Sequence, residues 1–320
     1  MKKIKFMVIT TITIIIGAIL VIYMNKPKPI PKNTTVISTS NSDLSFAVLG
    51  DIHENIDHFQ EAINDLFTIN SGMDALVLNG DVVDQGLDEQ YESVEETLHT
   101  NMDLLPKTII KNIGNHEFFN YDIEVNTQEQ VKEFINKYIK FSGEERVYHD
   151  IWIKDYHFIS LGSEDGNSET LNSITAFISD EQLEWFKEKL AENYQKGMPI
   201  FVFLHQPLDY GNSSWIGVEQ SEEIKIILSQ YPEVVMFASH THRNLTEDSV
   251  LLNNTFTIVN TGAVHYTIIP DSNAKGGYIR ESNYIKGVYI EVNDSNVTIK
   301  GRDFKEKQWI FTKEIINSNR

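Results

Sequence analysis

From about residue 45 onward, short apolar runs alternate with longer stretches in which apolar positions recur at helical spacing. Residues 46–49, 75–78, 108–113, 199–204 and 234–238 read as buried strands. Between them, 55–69, 89–102 and 219–230 carry a helical period. Ser179 opens a further helix to about Tyr194, with Gln182 three residues on in a capping-box pattern. Such alternation predicts right-handed crossovers and a layered α/β sheet. In the last third the pattern turns to strands, over 249–252, 256–260, 287–292 and 297–304, with a turn at 293–296. Two sheets packed face to face, with helices outside, fit this order.

The N-terminus stands apart. Lys2, Lys3 and Lys5 precede an uncharged run over 6–24, whose 19 residues would span about 28 Å as a helix, close to a bilayer's hydrocarbon thickness. No small-x-small cleavage site stands near Met24, so an uncleaved signal-anchor is the first expectation and a cleaved signal peptide the second. Lysines flank the run on both sides, which leaves the positive-inside bias nearly tied. The layout of an export signal places the remainder outside the membrane, or secretes it if the run is cleaved. Residues 25–44, with Pro27, Pro29 and Pro31 alternating, form an extended spacer. The folded domain is then 45–320.

Composition narrows the function. Of 320 residues, 41% are hydrophobic, enough for a large core, which excludes a disordered chain. The net charge of −19 argues against nucleic-acid binding, where basic residues must neutralise phosphates. It leaves phosphorylated small molecules open, because a bound cation reverses the local field. There is no cysteine, so thiol nucleophiles and thiolate metal sites are impossible, and any metal is held by Asp, Asn, Glu or His.

Chemistry collects where the strands end. The apolar runs are followed by Gly50-Asp51-Ile52-His53, by Asn79-Gly80-Asp81-Val82-Val83-Asp84, by Gly114-Asn115-His116-Glu117, by His205, and by Ser239-His240-Thr241-His242. Ligands of open α/β sheets bind at the carboxyl ends of strands. Each cluster alone is weak: an aspartate after a strand is usually a cap, and a lone histidine an ordinary polar residue. Together they bring Asp, Asn and His to one crevice, where Asp51, Asp81 and Asp84 would repel one another unless divalent cations neutralise them. Such a set fits two metals that share a carboxylate.

This series resembles the calcineurin-like metallophosphoesterase superfamily, over about 46–242. The resemblance implies a four-layer α/β/β/α sandwich, two mixed β-sheets flanked by helices, with a dinuclear centre. It implies that Asp51, His53 and His242 hold one metal, Asn115, His205 and His240 the other, and that Asp81 bridges both together with a hydroxide. His116 would bind no metal. It would face the phosphoryl oxygens and stabilise the transition state, with Asp84 behind it as the carboxylate that orients its ring. Manganese is the first choice for both ions, with iron, zinc or cobalt also suited to oxygen and nitrogen donors.

Departures from the pattern bear on the substrate. Ser239 stands where glycine commonly precedes the His-x-His pair, and is small enough to be tolerated. Asp84 takes the place of the tyrosine ligand of purple acid phosphatases, which argues against a ferric site. Gln85 replaces the phosphate-binding arginine of the Ser/Thr protein phosphatase branch, which removes a bidentate clamp. The expected activity is hydrolysis of a small-molecule phosphoester, with a tilt toward diesters. Monoesters of nucleotides or phosphosugars are the alternative, and a non-catalytic membrane-tethered binding protein a more distant one. No protein partner can be inferred.

Other residues are weighed individually. Glu117 buttresses its loop. Arg243 either reaches a substrate phosphate or forms a surface salt bridge. His265 and Tyr266 sit on a later loop where a structural role is favoured. His58, His99, His149 and His157 read as ordinary polar positions, the acidic stretch 89–96 as a solvated helix face, and Trp215 as packing.

Overall fold

The computed structural model describes residues 42–208, 217–252 and 255–317. The expected signal-anchor, the expected spacer up to residue 41 and Trp215 lie outside the described residues. Among the described residues, no helix is long and apolar enough to cross a membrane.

The first strand, β1 (Leu44–Leu49), alternates strictly. Phe46 and Val48 face one apolar layer, Ala47 and Leu49 another, as period-two geometry requires. It pairs in parallel with β2 (Ala75–Asn79), which pairs in parallel with β3 (Thr108–Asn112). Helices α1 (Ile56–Ile69) and α2 (Asp88–Thr100) make the crossovers. A third helix, α3 (Gln128–Ser142), was not anticipated from the sequence, although its buried Val131, Phe134, Tyr138 and Phe141 recur at helical spacing. Thr127 and Gln130 form a full capping box at its start, and Gly143 ends it at φ 80°.

The second sheet begins with a hairpin that the sequence pattern did not reveal, β4 (His149–Ile153) and β5 (Tyr156–Ser160). Its turn residues Lys154 and Asp155 are both left-handed, at φ 50° and 68°. A two-residue turn of this type normally announces itself through Asn-Gly or Asp-Gly, and here that signal is missing. Helix α4 (Asp180–Ala191) follows as expected from Ser179, whose hydroxyl accepts the Gln182 N–H at 3.2 Å. The reciprocal half of the capping box is not made. The Gln182 amide is spent on Gly162 and Glu164, and Glu164 takes the Ser179 N–H instead. Strands β6 (Ile200–Phe203) and β7 (Val234–Ala238) flank helix α5 (Ser221–Leu228), and β8 (Val250–Leu252) and β9 (Thr257–Asn260) complete this sheet.

Beyond it come a small hairpin, β10 (Thr267–Pro270) with β11 (Tyr278–Glu281), and the meander β12 (Lys286–Asn293), β13 (Asn296–Asp303) and β14 (Gln308–Ile316). The meander returns to the first sheet. The two six-stranded orders are β14-β13-β12-β1-β2-β3 and β4-β5-β6-β7-β9-β8. Both are mixed, since β1 meets β12 antiparallel and β2 parallel, and β9 meets β8 antiparallel and β7 parallel.

Three apolar layers hold the sandwich together. Phe59, Leu66, Val94 and Phe134 of α1–α3 pack on Ala47, Leu49 and Leu76. Between the sheets, Phe46 meets Phe158 and Phe201 edge-on, with centroids 4.9 and 4.8 Å apart. On the far side, Leu183, Phe186 and Ile224 of α4 and α5 cover Val202 and Met236. The layers therefore run α/β/β/α. Each fully buried ring contributes about 2 kcal/mol, and this core sets β1, β2, β3, β6 and β7 with their carboxyl ends at one edge.

Candidate metal centre

That edge collects the five polar clusters. Asp51, Asp81 and His205 are wholly buried, and His53, Asn115, His240 and His242 nearly so. The backbone reaches these positions at some cost. Asp51, His53, Asp81, His240 and His242 all adopt left-handed φ, between 48° and 67°, a conformation that costs roughly 1–2 kcal/mol for a residue with a Cβ. Packing holds them there. Gly80, at φ 82°, passes so close to the His205 ring that a Cβ would lie 2.6 Å from it, and the Asp51 and His53 N–H groups bond the Gly80 and Asp81 carbonyls.

Three groups of donors lie close enough to share a cation: Asp51 with His53 and His242, Asp81 with His205 and His240, and His53 with Asp81 and His116. The Asp81 Oδ2 atom is 3.1 Å from His205 Nε2 and 3.8 Å from His53 Nε2, so it stands between the first two groups. Asp51 Oδ1 is 3.2 Å from His242 Nε2. Asn115 donates its Nδ2 to the Ser173 carbonyl and keeps a buried Oδ1 without a hydrogen-bond partner.

The imidazoles are oriented from behind. His205 Nδ1 is 2.8 Å from the Asn79 carbonyl and His242 Nδ1 is 2.9 Å from the Tyr266 carbonyl, while His53 Nδ1 is 3.2 Å from Asp84 Oδ1. Each acceptor requires a proton on Nδ1, so in the neutral ring the Nε2 lone pair faces the centre. His53 and His242 then direct their Nε2 atoms at one another across 3.2 Å. Two lone pairs at that distance repel unless a proton or a cation lies between them. The donors present therefore fit divalent metals, as neutral imidazoles braced by carbonyls or a carboxylate and as carboxylates of which one oxygen is anchored by a backbone N–H, from His240 to Asp51 and from His116 to Asp81, while the other faces the histidines.

Without cations, protons do the neutralising. Burial opposes the charged form of His205, but Asp81 overrides it and holds the ring at about 9. His116 is likewise raised to about 9, against burial, by Asp81 and Asp84. Burial and the neighbouring His205 push His240 down to about 3. Asp51 and Asp81 stay ionised below the usual range, because the histidines outweigh burial.

A family model for calcineurin-like phosphoesterases matches residues 44–244. The chain belongs to that family. As a member, this phosphoesterase is metal-dependent, and its His/Asp groups answer that requirement. No curated protein matches it. Solved structures share its fold at low identity. A dimetal phosphatase from Danio rerio is 13% identical, with TM-score 0.57 over 87% of this chain and all of that one. A purple acid phosphatase from yellow lupin is 12% identical, with TM-score 0.59 over 87% of this chain and 54% of that one. GAP50, the anchor in the inner membrane complex of Plasmodium, is 13% identical, with TM-score 0.54 over 86% and 89%.

Around the phosphoesterase's donors, several residues do more than their sequence context suggested. Glu117 buttresses its loop as expected, by a specific device. Its carboxylate accepts the N–H groups of Gly114, Asp81 and Val82 at 2.7, 3.1 and 2.8 Å, tying the end of β3 to the end of β2. Asp84 braces His116 chiefly through its backbone carbonyl, 2.8 Å from Nδ1, while its carboxylate lies nearer His53 than His116, at 3.2 against 3.5 Å. The carboxylate also accepts the Tyr121 hydroxyl at 2.9 Å, a contact between loops that no motif signals. Hydrogen bonds from His116, His53 and Tyr121 outweigh burial and keep Asp84 well below the usual range. Ser239 is not merely tolerated: its hydroxyl joins Asn79 at 2.9 Å and Thr261 at 2.7 Å.

The loop after β9 packs against the centre. The His265 N–H bonds the Asp51 carbonyl, and the Tyr266 ring stacks on His242 at 4.0 Å. Arg280, on β11, lies over Tyr266 at 4.8 Å. His58, His149 and His157 are engaged elsewhere, with Val264, Lys111 and Asp150. Glu89, Glu92, Glu95 and Glu96 are exposed.

Proposed function

We propose that the phosphoesterase holds two divalent cations. Asp51, His53 and His242 would take one, Asn115, His205 and His240 the other, and Asp81 would bridge them. The observation that carries this reading is the position of Asp81 Oδ2 between His205 and His53. When bound, the pair supplies Lewis-acid charge to the phosphoryl oxygens and lowers the pKa of a coordinated water. The donors suit manganese first, and equally permit iron, zinc or cobalt.

The chain's own residues supply the rest. Asp81 Oδ1 accepts the His116 N–H at 2.8 Å, which fixes the backbone of the 3₁₀ turn His116–Phe118. With Nδ1 committed to the Asp84 carbonyl, the partly exposed ring presents Nε2 at the mouth. A proton held there offsets charge on the phosphoryl oxygens and is available to the leaving alkoxide. Asp84 keeps both His53 and His116 in place. Gln85 accepts the Tyr121 N–H at 2.7 Å and belongs to that loop, not to a phosphate clamp. A phosphodiester carries one charge fewer than a monoester and depends less on such a clamp, which favours diesters. The run over 6–24 supports a tethered or exported domain.

The test is turnover of bis(p-nitrophenyl) phosphate against p-nitrophenyl phosphate by the metal-stripped full chain after Mn²⁺ is added, with metal content measured in parallel. Bound manganese with faster diester turnover is the expected outcome. A folded chain that takes up no metal and hydrolyses neither ester sinks the reading.

A further inference from the structure

Beside the metal centre lies a cavity of about 690 Å³ that the chemistry above leaves unused. The loop from Ser239 to His242 is its partition. His240 and His242 turn toward the centre, while the alternate residues Thr241 and Arg243 line the cavity. Its floor is the end of the second sheet, where Leu251 of β8 pairs with Ile258 of β9. The small hairpin supplies the opposite wall through Ile268 and Tyr278. The hairpin is fixed to the partition, since the Ile268 N–H bonds the His242 carbonyl at 2.7 Å and Arg243 bridges to Ile268. Apolar atoms make up most of the wall surface, with Thr241, Asn244, Asp248 and Asn260 as polar members, and Leu251 and Tyr278 remain 42% and 47% exposed. Among the described residues, the exposed Arg243 guanidinium makes no hydrogen bond or ion pair.

A pocket of this size, apolar with one uncommitted cationic donor, is the usual form of a small-molecule site. We propose that it receives the organic substituent of the phosphoester, and that the substrates are esters of bulky aryl or branched alkyl alcohols. The substituent would lie against Leu251, Ile258 and Ile268 with its edge near Tyr278, and Arg243 would donate to an acceptor on it. This rests on the phosphoesterase reading of the centre and adds the substrate class.

Phosphonates test it, because they carry the substituent without being hydrolysed. Competitive inhibition of the Mn²⁺-loaded full chain is compared for methylphosphonate and 1-naphthylphosphonate, against whichever p-nitrophenyl ester is turned over. The naphthyl compound should bind roughly tenfold more tightly, which about 55 Å² of newly buried apolar surface supplies. Leu251→Arg, at an exposed edge position, should abolish that preference and leave the methylphosphonate constant unchanged. Arg243→Ala should weaken binding of a naphthylphosphonate that carries a carboxylate more than that of the plain compound. Equal inhibition by the methyl and naphthyl compounds in the wild type, or a preference that survives Leu251→Arg, overturns the pocket while the centre stands. A metal-loaded, folded chain that turns over neither ester overturns the centre, and the pocket with it.

Discussion

Replacing Glu117 by alanine tests how the ends of β2 and β3 are joined. The carboxylate is buried and accepts three backbone N–H groups. Hydrogen bonds to a charged acceptor contribute roughly 1.5–3 kcal/mol each, so their gross loss is about 5–9 kcal/mol. The acid itself is costly to bury. Burial, followed by repulsion from Asp81, raises it from 4.5 to about 7, and its removal returns about 3 kcal/mol above pH 7. The net expectation is a loss of about 2–6 kcal/mol, toward the lower end if water fills the space. Urea unfolding at pH 8, followed by circular dichroism, measures it directly. Glu117→Gln keeps one acceptor oxygen and should fall between wild type and alanine. Because Asp81 stands at φ 49° and its N–H is one of the three, manganese content should fall along with stability. A loss under about 1 kcal/mol with full metal content would refute the claim that these amides depend on Glu117.

Three further expectations follow from the geometry. His116→Ala should lower kcat by about 10²–10⁴-fold with two metals retained per chain; loss of metal would make His116 a ligand. A Cβ at Gly50 would lie 2.3 Å from Ser239 Oγ, so Gly50→Ala should cost about 2–3 kcal/mol, read in thermal melts. In the metal-stripped chain, His205 and His116 sit at about 9, above their ordinary 6.5. Their stabilisation is complete below pH 6.5 and is lost as pH rises through about 9. Glu117 has finished its own titration near 7, so the melting temperature should fall between pH 7 and 9. In the Mn²⁺-loaded chain only the His116 part of this fall should remain, since the His205 imidazole would already be neutral as a ligand. A stripped chain whose melting temperature is flat over this range would contradict the protonation scheme.

The amino-acid order alone determined the strand ends and their chemistry. Asp, Asn and His follow apolar runs at positions where only a carboxyl edge can gather them, and a chain without cysteine leaves oxygen and imidazole as donors. It also carried the alternation that builds the layers. It did not show the β4–β5 or the β10–β11 hairpin. The β4–β5 turn rests on left-handed Lys154 and Asp155 in place of a glycine, and β4, β10 and β11 are partly exposed. Nor did it show that Asp84 braces His53, that Tyr121 holds Asp84, or that Glu117 takes three amides from two loops. Those contacts join residues from separate loops, and local pattern reports only what neighbours along the chain require. Tertiary packing alone decides which lone pairs face one another across 3 Å, and so where a cation is needed.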